Sequence, residues 1–469
     1  MNHKYFTKVN LIAVFGEGNH TASNAPNVWG NYSKIRKANL FIEKITTSNL
    51  ADNWKKTRMA EARFLRAYFY AQLWNYYGGV PIITKVLNQA EQGDEIFYAR
   101  SSFDETYKFI IDELDAISSD LTLKPESGRA SRGAGLTLKG WCELFAASPL
   151  NNLSSDKNKW ELAAGTYKQV MDLGVYDLFP DHRALFLEEN NNNVEVIFDK
   201  PYYRNNSITA VMGPSYVGSE YRGYGFSNPT QELVDTYLMA NGLLISDPLS
   251  GYDPENPYIG REQRFYNDII YDGAEWLGIE VVMKQGVGSK SATDLSNLNE
   301  ATNTGYYWKK MMDPKYANVG NSQNSAHFIL FRYAEVLLGY AEAQNEAVGP
   351  DQSVYDAVNN IRARVKLPAL KAGLDKDAMR QAIQQERRVE LALEEKRWLD
   401  LVRLKKAEEK LNGPLHAVVI KQVGGTWQYS YVPAPGGLRA FHPEKNYWFP
   451  IPQSAMDRNS KLVQNPNYD

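Results

Sequence analysis

Arg63-Phe64-Leu65-Arg66-Ala67-Tyr68-Phe69-Tyr70, followed by Gly78-Gly79-Val80-Pro81-Ile82, is the stretch on which the fold turns. Ala62, Leu65, Phe69 and Leu73 recur at three- and four-residue steps, so a helix running from Asn53 to Tyr77 places them on one stripe. Gly78-Gly79 then supplies a flexible C-cap, and Pro81 cannot continue the helix. An amphipathic helix of this length with so sharp a stop needs a partner helix to cover its apolar face.

Candidates for that partner lie on both sides. Val28, Tyr32, Ile35, Ala38, Ile42 and Ile45 keep the same period upstream. Downstream, Ser102 and Glu105 form a capping box ahead of Phe103, Tyr107, Ile110, Ile111, Leu114 and Ile117. Further helices are expected over Leu136–Ala147 and Trp160–Leu173. Helix pairs of this size joined by short turns look like tetratricopeptide-type hairpins, although the 34-residue signature is not cleanly repeated.

From Leu178 to Asn324 the helical period lapses except over Pro229–Leu238, and Gly, Pro, Asn and Tyr dominate. Short strands are expected at Val194–Phe198, Phe265–Tyr271 and Tyr306–Met311. Helices return at Arg332–Ala347, Ser353–Val365 and Asp375–Leu411. The last is expected to show charge-rich exposed faces, with Arg387, Glu390, Glu394 and Arg397 spaced for intrahelical pairing. The tail from Gly413 to Asp469 is again rich in Pro, Gly and aromatics. The expectation is a mostly α fold of three parts in one compact unit: helical hairpins over 1–177, an irregular aromatic-rich insertion with short strands over 178–325, and a C-terminal helical part with an extended tail over 326–469.

The 469 residues suffice for one large helical body with an insertion. With 52 Lys+Arg against 55 Asp+Glu and a net charge of -3, the chain offers no excess of positive charge for a phosphate backbone, and nucleic acid is not an expected partner. Cys142 is the single cysteine, so neither an internal disulfide nor a cysteine zinc cluster can form, and its helical neighbours Leu138, Trp141 and Phe145 read it as a buried thiol. No apolar run approaches the ~18 residues of a membrane span. The start, Met1-Asn2-His3-Lys4-Tyr5-Phe6, lacks the apolar stretch and cleavage site of an export signal, which reads either as a cytoplasmic protein or as a chain without its leader.

Catalytic equipment is sparse. The histidines His3, His20, His182, His327, His416 and His442 show no metal-ligand spacing. Ser215, in Gly213-Pro214-Ser215-Tyr216-Val217, lacks the second glycine of a nucleophile elbow. Gly286-Val287-Gly288-Ser289-Lys290-Ser291 carries Ser289 where a phosphate loop requires glycine. Glu189 with Glu195, or Asp253 with Glu255, could serve glycoside hydrolysis, but spacing alone does not separate such pairs from surface charge. No cofactor, metal or catalytic residue is expected.

Taken together, several segments identify a family. The opening stretch is similar to the helix-and-turn hallmark of SusD/RagB proteins, as are Arg332-Tyr333-Ala334-Glu335-Val336-Leu337-Leu338 with Ala341-Glu342-Ala343, and Glu386-Arg387-Arg388-Val389-Glu390-Leu391 leading into Arg397-Trp398-Leu399-Asp400-Leu401. The ending Pro450-Ile451-Pro452-Gln453-Ser454 with Gln464-Asn465-Pro466-Asn467-Tyr468 resembles the family again. At Asn256-Pro257-Tyr258 to Arg264-Phe265 the resemblance loosens, because Glu262-Gln263 replace the usual acid-proline pair. Most of these residues read as architecture: Arg63 and Arg66 with Glu61, and Arg387 with Glu390, suit ion pairs between stacked helices, and Pro450 and Pro452 fix an extended tail.

The resemblance implies a non-enzymatic surface lipoprotein of the outer membrane, outward-facing, that holds oligosaccharides against an aromatic platform and caps a SusC-like TonB-dependent transporter. The family's lipoprotein signal and acylated cysteine, which would tie the full-length form to the membrane, are not visible here, and Cys142 sits too far into the chain to take that role. A sugar site pairs flat rings with amides, acids or arginines. The insertion offers Tyr203 in Tyr202-Tyr203-Arg204-Asn205-Asn206, Tyr216, Tyr221-Arg222-Gly223-Tyr224, and Trp276 in Gly273-Ala274-Glu275-Trp276-Leu277-Gly278. Trp276 is the expected principal platform, with Tyr221 and Tyr224 beside it and Tyr216, Tyr203 and Arg222 as further ligand contacts; glycines next to rings permit close approach. Trp74, Trp141, Trp160 and Trp398, on helical stripes, read as core. Other classes remain open at this point: a peptide-binding RagB-like uptake protein, a glycoside hydrolase, or a tetratricopeptide-like peptide scaffold.

Overall fold

The computed structural model describes residues 2–3, 16–208, 225, 227–287, 302–317 and 323–468. Its frame is a run of helices: α1 (Asn31–Thr46), α2 (Asp52–Tyr77), α3 (Phe103–Ile117), α4 (Arg132–Ala147) and α5 (Lys157–Asp172), then α6 (Tyr333–Val348), α7 (Gln352–Arg364), α8 (Lys376–Glu390) and α9 (Arg397–Arg403). Each of α1 to α5 packs on the next, which is the hairpin arrangement the short connections require. The Ser102–Glu105 capping box is present at the start of α3. None of the described helices is long and apolar enough to cross a membrane.

Across the insertion, α6 packs on α5 and then carries α7 and α8. The fit is close. Tyr167 of α5 is fully buried, and a Cβ on Gly339 of α6 would come 2.5 Å from its ring, while one on Gly140 of α4 would come 3.1 Å from it. Three helices therefore close over one ring because two of them lack side chains there. The main core includes Trp74, Trp141, Cys142 and Trp160, with Trp398 half-buried against it.

The insertion is zipped at its base, where β1 (Val196–Lys200) pairs antiparallel with β2 (Phe328–Arg332), and Phe198 and Phe331 from these strands enter the main core. Beyond the base a second core gathers Tyr237, Phe265, Trp276, Tyr306 and Trp308 with Val389 and Ala392. Val418 and Ile420 join it from a hairpin in the tail, β3 (Gly413–Val423) and β4 (Thr426–Arg439). Gly424 and Gly425 both adopt positive φ at its tip, as a two-residue turn matched to strand twist demands.

Four sequence expectations need correction. Over Phe265–Tyr271 the chain is helical from Gln263 to Asp268, and only Ile269–Ile270 pair, with Tyr307–Trp308; so short an apolar run satisfies either period. Pro229–Leu238 holds a single helical turn, Gln231–Val234. The helix expected over Asp375–Leu411 breaks after Glu390, with Leu393 and Glu395 at positive φ, resumes as α9, and ends in the separate turn Ala407–Lys410. Its charges do not pair along one helix: Arg387 bonds Asp400 at 2.8 Å instead of Glu390, and Glu390 and Glu394 turn inward. Finally, Arg63 and Arg66 do pair between helices, but with Glu113 of α3 at 2.7 and 2.5 Å, while Glu61 serves Arg58 and Arg129.

Those inward charges join the insertion to the frame. Arg332 contacts Glu195, Glu390 and Glu394, each at 2.7 Å, and Arg264 contacts Glu262 at 2.7 Å, Glu386 at 2.5 Å and Glu390 at 3.0 Å. Arg364 reaches Glu195 at 2.9 Å and also pairs with Glu390, Arg362 reaches Glu386 at 3.2 Å, and Lys310 reaches Glu394 at 2.9 Å. All of these side chains are buried, and the five cations meet five carboxylates. An unmatched charge here would cost several kcal/mol, so the balance is a condition of burial.

Candidate ligand-binding face

Where β1 leaves the frame, the loop between α3 and α4 crosses the start of the insertion. Gly128 makes this crossing possible: its φ is +73°, and a Cβ there would lie 2.4 Å from the Pro201 ring. Beside the crossing opens a cleft of about 350 Å³, with Phe198 and Tyr176 as apolar floor and Lys124, Glu126, Asn192 and Asp199 among its polar walls. The Tyr176 hydroxyl lies 2.9 Å from Ser131 Oγ, and burial raises its phenol above the ordinary range despite that bond. Asp199 is buried, and its Oδ2 lies 2.8 Å from His327 Nδ1.

The chain leaving this cleft carries the exposed rings. Lys200 Nζ sits 4.7 Å from the Tyr202 ring centre, and the Arg204 guanidinium 5.5 Å from that of Tyr203. Tyr203 is 79% exposed, a large value for an aromatic ring held by a cation at its face. Its segment is nonetheless fixed: Arg204, at φ +53°, donates its backbone N–H to Ser325 Oγ at 3.0 Å. Asn206 donates its side-chain amide to the Ala326 carbonyl at 2.6 Å. The ring is thus displayed on a backbone pinned to the other end of the insertion.

Trp276 is not such a ring. It is 3% exposed and belongs to the second core, so the expectation that it forms the principal exposed platform is corrected. Glu275–Trp276 pairs with Ile279–Glu280 in a tight hairpin, and the period of two turns Glu275 to solvent and Trp276 inward. Gly278 and Leu277, both at positive φ, make the turn itself and give no ligand access. Tyr216, Tyr221, Arg222 and Tyr224 lie outside the described residues. Of the six expected contacts, the structure therefore places Tyr203 on the surface and Trp276 in the interior.

Sequence reasoning missed the rings of the tail. Trp427, Tyr429 and Tyr431 alternate along β4 and face the insertion; Lys284 Nζ lies 5.4 Å from the Trp427 ring centre, and Tyr431 is 44% exposed. The signal was present, since Gly424-Gly425 followed by alternating aromatics is a hairpin pattern.

A frame of stacked helical hairpins with a loop-and-strand layer docked on it by buried charge defines the class: a tetratricopeptide-like helical protein with an inserted face. The SusD family model matches residues 194–468, and a second model, starch-binding associating with outer membrane, matches residues 5–138. The chain belongs to the SusD family. Among its relatives is SusD-like protein P38 of Formosa agariphila, 26% identical over 411 residues, covering 82% of this chain and 73% of the relative. A crystal structure of a SusD-like protein from Bacteroides fragilis superposes with a TM-score of 0.83 at 30% identity, covering 99% of this chain and 90% of that one. A SusD-like carbohydrate binding protein, also from Bacteroides fragilis, gives a TM-score of 0.82 at 27% identity, covering 98% and 90%.

Proposed function

We propose that this protein captures oligosaccharides at the outer membrane, outward-facing, and delivers them to a TonB-dependent transporter without altering them. The observation that carries the reading is Tyr203, a ring left open to solvent beside a polar cleft on a backbone pinned in place. Sugars present apolar C–H faces and hydroxyls together; the exposed ring answers the first, and the Lys124, Asn192 and carboxylate groups lining the cleft answer the second. Family membership and the carbohydrate-binding relative support the ligand class. Tyr216, Tyr221, Arg222 and Tyr224 are proposed to complete the face, and Trp276 is not part of it. A lid that detaches repeatedly needs a broad, partly polar contact surface.

A glycan array identifies the ligand, and calorimetry on the wild type and Tyr203→Ala tests the face. The expected loss is about tenfold or more in affinity, with an unchanged melting temperature. Binding of peptides and of no glycan would replace this reading with a peptide-uptake role. Shortened products after incubation would replace it with hydrolysis. Recovery of the transporter on co-purification from native membranes tests delivery.

A further inference from the structure

A second concavity lies between the C-terminal tail and the turn joining α2 to α3, and it shares no lining residue with the cleft beside Tyr203. It is an open groove of about 760 Å³, within the ~300–1,000 Å³ range of small-molecule sites. Its floor is Trp448, half-buried, with its ring centre 5.8 Å from that of Phe103 and 6.3 Å from that of Phe145. Gly78 packs its backbone close to the indole, where a Cβ would already touch Cδ2 and Cε3 of Trp448 at 3.8 Å, and the rest of the half-buried ring opens to the groove. Gly79 is needed too, because a Cβ there would meet the Ser101 carbonyl at 1.9 Å, and its absence lets the wall of the groove cross so close.

The structure consumes the groove's strongest donor group in building the wall. Arg100 binds the carbonyls of Gly79 at 2.5 Å and Val463 at 3.0 Å, the carbonyl of Tyr77, and Asn465 Oδ1 at 2.7 Å. What remains for a ligand is of mixed kind. Among the described residues, Trp448 Nε1 has no acceptor, Asn151 Oδ1 no donor, and Lys461 Nζ no partner, while Glu105 uses only Oε2 in the capping box. An anion would meet Glu105 and a cation would meet Lys461. Hydroxyl groups, which donate and accept, suit both, and a C–H edge suits the part of the indole that is open to the groove.

We propose that this groove is a second saccharide-binding site, with the open part of the Trp448 indole as the apolar contact and Asn151, Glu105 and Lys461 as hydroxyl partners. It rests on the glycan reading above for its ligand class but not for its location. The test is titration of the full chain, with its ten tryptophan indoles labelled with nitrogen-15, using maltohexaose, laminarihexaose, xylohexaose and chitohexaose in turn. The expected result is a saturable shift of the Trp448 indole signal, identified by Trp448→Phe, that persists in Tyr203→Ala. Lys461→Ala, an exposed change that leaves the fold intact, is expected to weaken the response several-fold. Heat of binding that depends on Tyr203, with the Trp448 signal unmoved, would overturn the second site and leave the first. No heat and no shift with any of the four sugars would overturn both.

Discussion

The helical frame and the junction that docks the insertion on it are held together by opposite means. In the frame, close apolar fit does the work: Tyr167 lies under two glycines, and Trp74 is fully buried between α2 and α3 with its ring centre 4.7 Å from that of Phe103. At the junction, five cations and five carboxylates are buried in mutual contact. The first kind of cohesion loses energy in proportion to the atoms removed. The second is all-or-none, because deleting one partner strands the others without water.

That difference sets the order of expected effects. Arg332→Met leaves Glu195, Glu390 and Glu394 short of a shared partner and should cost about 3–5 kcal/mol, read as a lowered melting temperature. A loss below about 1 kcal/mol would break the contrast, showing the junction to be held by its apolar neighbours. Trp276→Ala should cost a similar ~3–5 kcal/mol while glycan affinity holds, since the ring fills the second core and touches no surface. Reduced affinity with unchanged melting would restore Trp276 as a platform.

Smaller effects sharpen the picture on the frame side. Gly339→Ala pushes a methyl into Tyr167 and should destabilise by about 1–3 kcal/mol, with glycan binding intact in the fraction that stays folded. pH separates the two regions by sign. On α4 of the frame, burial pushes the Glu143 carboxyl up to about 7, against a bond to Thr166 and the charge of Lys139. A carboxyl raised in the folded state contributes stability below its unfolded pKa and loses it as pH rises through about 7. Glu143→Gln should therefore gain stability at pH 8, on the order of 1–2 kcal/mol, and change little at pH 5. At the junction, burial alone would raise Glu390, yet Arg364 and Arg332 outweigh it and hold the carboxyl well below the usual range. Its contribution is present above the unfolded pKa and fades only as pH falls through the depressed one. Melting followed from pH 8 down to 3 checks both signs. The smallest expected change is Ser102→Ala, which removes one member of an exposed capping box and should cost about 1 kcal/mol.

How far the sequence reached can be judged residue by residue. The helical period and the stop at Gly78-Gly79 gave the bounds of α2 nearly to the residue, because period and caps are local properties, but the stripe Ala62–Leu65–Phe69–Leu73 is not its buried face: Leu65 is exposed, and Phe64, Ala67, Tyr70 and Trp74 are buried instead. Arg387, Glu390 and Glu394 were read as an exposed, self-pairing face and are buried, since charge alone does not say whether a partner waits on another element. Tyr203 and Trp276 looked alike as rings in Gly- and Asn-rich loops. What separated them was a two-residue hairpin that turned one inward and a Ser325 contact that held the other out.

By itself, then, the sequence determined the helical hairpins, the burial of Cys142 and the family, all carried by patterns that span a few turns of chain. Only the tertiary structure decided which charges are buried, where the long helix after Asp375 breaks, and which ring stands open to solvent. Those outcomes depend on Glu195 meeting Arg332 and Glu390 meeting Arg264, residues more than a hundred positions apart, and no local period encodes such a meeting.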